Sequence, residues 1–238
     1  IMIVSSQKEG NILFFPYGEK EVEYLKSRDK KLGEAMKIIG HIDRPVDSDL
    51  FSSVIHYILG QQISTAAQGT LWKRLVEKTG KVTCESLLAI GRDGLQSIGT
   101  TYKKVDCILS LCEKVKNGTF DVAALDRMSD DQVLESLSSL DGIGTWTGEM
   151  VLIFGMKRMD ILSFGDLAII RGMRMLYRWR KVDRVKFDRC RRRYSPYGSV
   201  ASLYLWAIAG GAIPALTDPG KKRKNHGRRR NVAGSPAK

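Results

Sequence analysis

The chain has 238 residues, 43% of them apolar, and a formal charge of +13, so it can bury ample core as one large domain or as two small ones sharing a cleft. No run of about 18 apolar residues occurs, which excludes a membrane-spanning helix, and the opening IMIVSSQKEGN is too short and too soon polar for a signal peptide. Cys84, Cys107, Cys112 and Cys190 show no CxxC pairing, which argues against a zinc site, a disulfide framework or an iron–sulfur cluster and for a reducing, intracellular setting.

In chain order, NILFFPYG reads as an isolated extended segment, and everything after Glu19 reads at helical spacing. DLFSSVIHYILGQQIS sets Leu50, Val54, Ile55, Ile58 and Leu59 on one stripe, and AAQGTLWKRLVEKTG stops on Gly80. ESLLAI, KKVDCILSLCEKV and DQVLESLSSL are further short helices, the last opened by a capping box of Ser129 and Gln132. The fold class is therefore all-α, in two helical lobes. Pro45 with Asp47 and Asp49 marks one boundary and KRMDILSFGD another. They delimit a central domain over 48–157 and a second lobe from 1–47 plus 158–218, with a site expected in the cleft between them.

The positive charge is concentrated late in the chain. Residues 171–193 hold eleven Lys or Arg against two acids, and 221–238 hold eight against none, which suggests a polyanion partner. In RGMRMLYRWRKVDRVKFDRCRRR apolar residues interleave with the charges, which predicts a folded helical surface presenting Arg171, Arg174 and Arg178 outward. Residues 219–238 read on composition as a basic, disordered tail.

The stretch LDGIGTWTG connects a helix ending near Leu140 to one starting near Thr145. Gly142 and Gly144 permit positive φ and close approach, and the first amides of the second helix lack internal partners. Such a turn can hold a phosphate against backbone alone, at Gly142, Gly144, Thr145 and Thr147. By itself it reads more readily as an ordinary helix–helix turn.

The order Leu140, Gly142, Ile143, Gly144, Trp146 and Thr147, followed by Asp166, resembles the hairpin of the helix-hairpin-helix DNA glycosylase superfamily. Within it, the chain is most similar to the 3-methyladenine DNA glycosylase II, or alkylbase glycosylase, branch. The resemblance spans residues 45–215 and rests on LGQQIS, LDGIGTWT, DILSFGDLAI and SPYGSVASLYLW. Too few residues precede the core for the N-terminal β-domain of some members.

The resemblance makes Asp166 the catalytic aspartate, where many relatives carry two acids and this chain has Gly165 first. A carboxylate there can stabilise positive charge on the deoxyribose and orient water, and a helix N-terminus favours its charged form. The plainer reading is an N-cap. Trp146 stands where bifunctional members carry a Schiff-base lysine, which implies a monofunctional enzyme using water. Trp206 matches a tryptophan that stacks on the extruded base, with cation–π attraction for methylated purines. Met150 falls at another pocket position, and Gln62 at the wedge that fills the gap left by the flipped nucleotide. Either tryptophan can also be read as core, and Gln62 as a solvent-facing amide.

Main-chain carbonyls of Ser138, Leu140 and Ile143 are implied ligands of a Na or K ion, and no other cofactor is required. The implied function is excision of alkylated purines from damaged double-stranded DNA by a monomer, cytoplasmic in a prokaryote and nuclear in a eukaryote. A glycosylase for oxidised or deaminated bases, or a noncatalytic hairpin module, stays open on sequence.

Overall fold

A computed structural model describes residues 12–220. The opening segment 1–11 and the tail from 221 onward, including most of the basic stretch expected to be disordered, lie outside the described residues. The described residues form eleven α-helices. They are α1 (Glu19–Arg28), α2 (Lys30–Ile39), α3 (Leu50–Gly60), α4 (Thr65–Thr79), α5 (Cys84–Gln96), α6 (Tyr102–Lys116), α7 (Asp130–Ser138), α8 (Thr145–Met150), α9 (Leu167–Tyr177), α10 (Arg184–Tyr194) and α11 (Gly198–Gly210). The extended segment near the start makes one isolated antiparallel bridge, Phe14 with Pro45.

Local chemistry sets many of the helix ends. Ser129 and Gln132 cap α7 reciprocally, the Ser129 amide donating to Gln132 at 2.9 Å and the Gln132 amide to Ser129 at 3.3 Å. Gly80 closes α4 at φ 68°. One element departs from the expected spacing. α8 widens into a π-helical turn over Val151–Gly155, with the Met156 amide donating to the Val151 carbonyl at 3.0 Å. That turn packs on α3, and its Phe154 carbonyl accepts the Asp47 amide at 3.1 Å.

α3 to α8 pack on one another, and α1, α2, α9, α10 and α11 form a second group. α11 is almost wholly buried, against α9. Gly172 permits this approach, because a Cβ there would lie 2.3 Å from the Leu205 carbonyl oxygen. The chain passes between the groups through residues 40–49 and returns through 156–166, so Asp166 sits at the end of a crossing segment.

The basic stretch does not face outward throughout, contrary to what its composition suggests. Arg174 does not reach outward. It grips Asp218 through two contacts, at 2.8 and 2.6 Å, and the Asp218 side chain is only 3% exposed. Arg171 Nε lies 3.9 Å from the same carboxylate. Arg191 pairs with Asp160 at 2.6 Å, and Arg193 with the buried Asp29. A buried carboxylate is costly without a cation, so several of these arginines serve the interior. Arg178 and Arg184 stay exposed.

Candidate active site and DNA interface

Asp166 caps α9, its Oδ1 accepting the amides of Ala168 at 2.8 Å and Ile169 at 2.9 Å. Two indoles complete its surroundings. Trp206 Nε1, from α11, donates to Oδ1 at 3.2 Å, and Trp146 Nε1, from the first turn of α8, donates to Oδ2 at 2.9 Å. The residue is 7% exposed. Four N–H donors therefore converge on one carboxylate, and no ion pair forms to it among the described residues. A salt bridge would quench its field. Neutral dipoles instead stabilise the charge and leave the field available to positive charge arising alongside. Oδ2, with a single donor, keeps room to accept another hydrogen bond.

Trp206 is half-buried, with Phe154 stacked against it (centroids 5.6 Å apart, planes at 29°) and Tyr57 stacked in turn on Phe154 at 5.6 Å. The aromatic column fixes the indole plane. Met150 is buried in the core at 2% exposure, so unlike the tryptophans it presents almost no surface to a base.

Glu149, one turn beyond Trp146, accepts a hydrogen bond from the buried Ser163 hydroxyl. Burial pushes its carboxyl above the usual range, and the nearby Asp166 charge adds to this. Sequence reasoning passed over this residue. The available signal is that it is the lone acid between Asp141 and Asp160.

At the hairpin, Gly142 adopts φ 75°, and a Cβ there would meet Cys107 Sγ at 3.1 Å. Gly144 and Thr145 are exposed. The first bond of α8 runs from the Gly148 amide to the Gly144 carbonyl at 3.1 Å, leaving the amides of Thr145, Trp146 and Thr147 without backbone partners. Thr147 is 2% exposed as a whole residue and its hydroxyl accepts from Gln61 at 3.0 Å, so its side chain is not offered to a phosphate and only its amide is left for one. Leu140 and Ile143 are buried beneath the turn, and Ser138 ends α7 on the exposed side.

Gln62 is exposed on the loop between α3 and α4, at a φ of 56°. Its neighbour Gln61, also passed over in the sequence, donates from Nε2 to the Gly142 carbonyl at 2.9 Å and to the Thr147 hydroxyl at 3.0 Å. The structure thus brings the α3–α4 loop and the hairpin together, and beside α8 it places Asp166 with both indoles.

Residues 55–192 match the HhH-GPD superfamily of base excision DNA repair proteins. A DNA-3-methyladenine glycosylase of Schizosaccharomyces pombe is 26% identical over 215 residues, covering 85% of this chain and 91% of the relative. Among solved structures, a DNA-3-methyladenine glycosidase from Bacillus halodurans superposes with a TM-score of 0.70 at 31% identity, covering 84% of this chain and 93% of that one. The S. pombe 3-methyladenine DNA glycosylase in complex with abasic DNA gives 0.72 at 25% identity, over 79% of this chain and 96% of that one. The chain belongs to the HhH-GPD superfamily of base excision DNA repair proteins.

Proposed function

We propose that the protein excises alkylated purines of the 3-methyladenine and 7-methylguanine type from duplex DNA, hydrolysing the N-glycosidic bond as a monofunctional glycosylase. The observation that carries this reading is Asp166 itself, a carboxylate held by four N–H donors between two tryptophans, with no cation paired to it among the described residues. The names of the relatives support the substrate class.

In this reading the damaged nucleotide is extruded, least expensively where alkylation has weakened its pairing, and the purine stacks on Trp206. The bond to C1′ breaks and the purine leaves with the electron pair, which neutralises its methylation charge. Positive charge builds on the sugar beside Asp166, whose field stabilises it. Water adds to C1′, with Oδ2 as the acceptor for its proton. Trp146 cannot form an imine, so no lysine-dependent strand cleavage follows.

The amides of Gly144, Thr145 and Thr147 face the DNA backbone with the Gly142 turn. An oxygen-only donor set suits a hard monovalent cation. The carbonyls of Ser138, Leu140 and Ile143 would hold Na or K there, where its charge attracts a phosphate. Leu140 already accepts the Ile143 amide at 3.2 Å, leaving its second lone pair.

Asp166→Asn tests the reading, because the amide keeps the size and the capping oxygen but removes the charge. Base release from methylated DNA in a single turnover should fall about 10²–10³-fold, with affinity for abasic DNA preserved in fluorescence anisotropy. Undiminished release with normal binding would remove Asp166 from the chemistry. Loss of both would reduce it to a helix cap.

A further inference from the structure

The loop after α3 is held from two sides. Gln61 spends both amide hydrogens on the hairpin, one on the Gly142 carbonyl and one on the Thr147 hydroxyl. From α6, Lys104 Nζ donates to the Leu59 carbonyl at 2.7 Å and to the Gln61 carbonyl at 2.8 Å. Those carbonyls are the orphaned, partly negative end of α3, so an ammonium is the fitting cap, and its bonds are charge-assisted. Directly after the residue that carries both ties, Gln62 occupies a positive φ that favours glycine, with its side chain exposed. Such strain persists where the surroundings over-determine the backbone, and it marks a position where a side chain is wanted despite its cost.

We propose that Gln61 and Lys104 form a clamp fixing the wedge loop to the phosphate-binding hairpin, so that Gln62 enters the base stack at a set distance from the phosphate the hairpin grips. Both are positioning residues, acting through Gln62, and the inference rests on Gln62 being the wedge. A wedge on a loose loop would recoil when pushed against stacked bases. One anchored to the element that holds the backbone transmits the push to the nucleotide. The clamp therefore matters where extrusion is hard, at a paired lesion, and little where the lesion has no partner base to leave.

The test is single-turnover release of 7-methylguanine from two duplexes, one with cytosine opposite the lesion and one with an abasic analogue opposite it. Gln61→Leu should slow release from the paired lesion on the order of 10- to 100-fold, as misplacement of a reacting group does, and affect the unpaired lesion much less. In a Gln62→Ala background, Gln61→Leu should add nothing further, because residues acting through one another are non-additive. Equal losses on both duplexes, or additive losses in the double variant, would overturn the clamp. Melting followed by circular dichroism accompanies each variant. Should Gln61→Leu fail to fold, Lys104→Met takes its place in the same cycle, with Lys104→Arg expected to restore most of the paired-lesion rate. A Gln62→Ala protein at full rate on the paired lesion would sink the wedge reading and the clamp together, whereas failure of the clamp alone leaves Gln62→Ala defective.

Discussion

Among the described residues the carboxylate of Asp166 accepts hydrogen bonds only from N–H groups, and each oxygen has a different set. Oδ1 takes two amides and the Trp206 indole, and Oδ2 takes the Trp146 indole alone. Each tryptophan thus offers a ring and a donor, and substitutions can separate the two. Trp146→Phe keeps an aromatic ring and removes the donor to Oδ2. Because hydrogen bonds to charged groups are worth about 1.5–3 kcal/mol, single-turnover release should drop about 10- to 100-fold with DNA affinity unchanged. Trp206→Ala removes the ring as well, and a ring that stacks on a base contributes about 1–3 kcal/mol. Its loss should therefore exceed that of Trp206→Phe, and equal losses would mean that the donor, and not the ring, is what Trp206 supplies. Asp166 is legible in the sequence, since an acid just before an apolar-periodic stretch is an N-cap pattern. The indole donors are not. Trp146 and Trp206 lie 20 and 40 residues from Asp166, and nothing local reports that three separate helices bring them to one carboxylate.

Most helices are readable because caps and apolar spacing are local. The stop at Gly80 and the box at Ser129 stand where the residues put them. The π-helical turn after α8 is not readable, since it forms against α3 from a distant part of the chain. The same limit explains the basic stretch. Eleven cations in one segment read as a surface for polyanions, but the carboxylates some of them neutralise are far away in sequence. The arginines should therefore divide in experiment. Arg174→Ala removes both short hydrogen bonds to Asp218 and leaves only the Arg171 guanidinium, at 3.9 Å, which should cost on the order of 1.5–3 kcal/mol in urea unfolding, the range for a hydrogen bond to a charged group. Arg184 is exposed and lies over the Phe164 ring at 5.3 Å, two residues before Asp166. Arg184→Ala should leave stability intact and make the slope of log affinity against log salt shallower by about 1. An unchanged slope would take α10 off the DNA-binding face.

For the molecule as a whole, two carboxyl groups shape stability against pH in opposite directions. Arg174 holds Asp218 down to about 2, so the stability from that pair is present above the ordinary carboxylate value and is lost as pH falls toward 2. Burial raises Glu149, so its contribution is full at low pH and is lost as pH climbs through its raised value. Glu149→Gln should therefore raise Tm at pH 8 while leaving it nearly unchanged at pH 4, a gain of 1 kcal/mol reading as about 2–4 °C in a chain of this size. A Tm that falls at both values would mean that the ionised carboxylate is needed by the fold.

Cys107 lies under the hairpin with its thiol donating to the Asp141 carbonyl at 2.7 Å, and burial pushes that thiol up to about 11. Burial likewise raises Cys84, Cys112 and Cys190, all free and buried. Since the thiolate is the nucleophile, each sulfur is kept in its unreactive form. A protein that works where methylating agents have struck DNA meets those agents itself, and here its softest nucleophiles are withheld from them. Brief treatment of the folded protein with methyl methanesulfonate, followed by peptide mass spectrometry, should find all four cysteines unmethylated, and the same treatment in guanidinium chloride should label them.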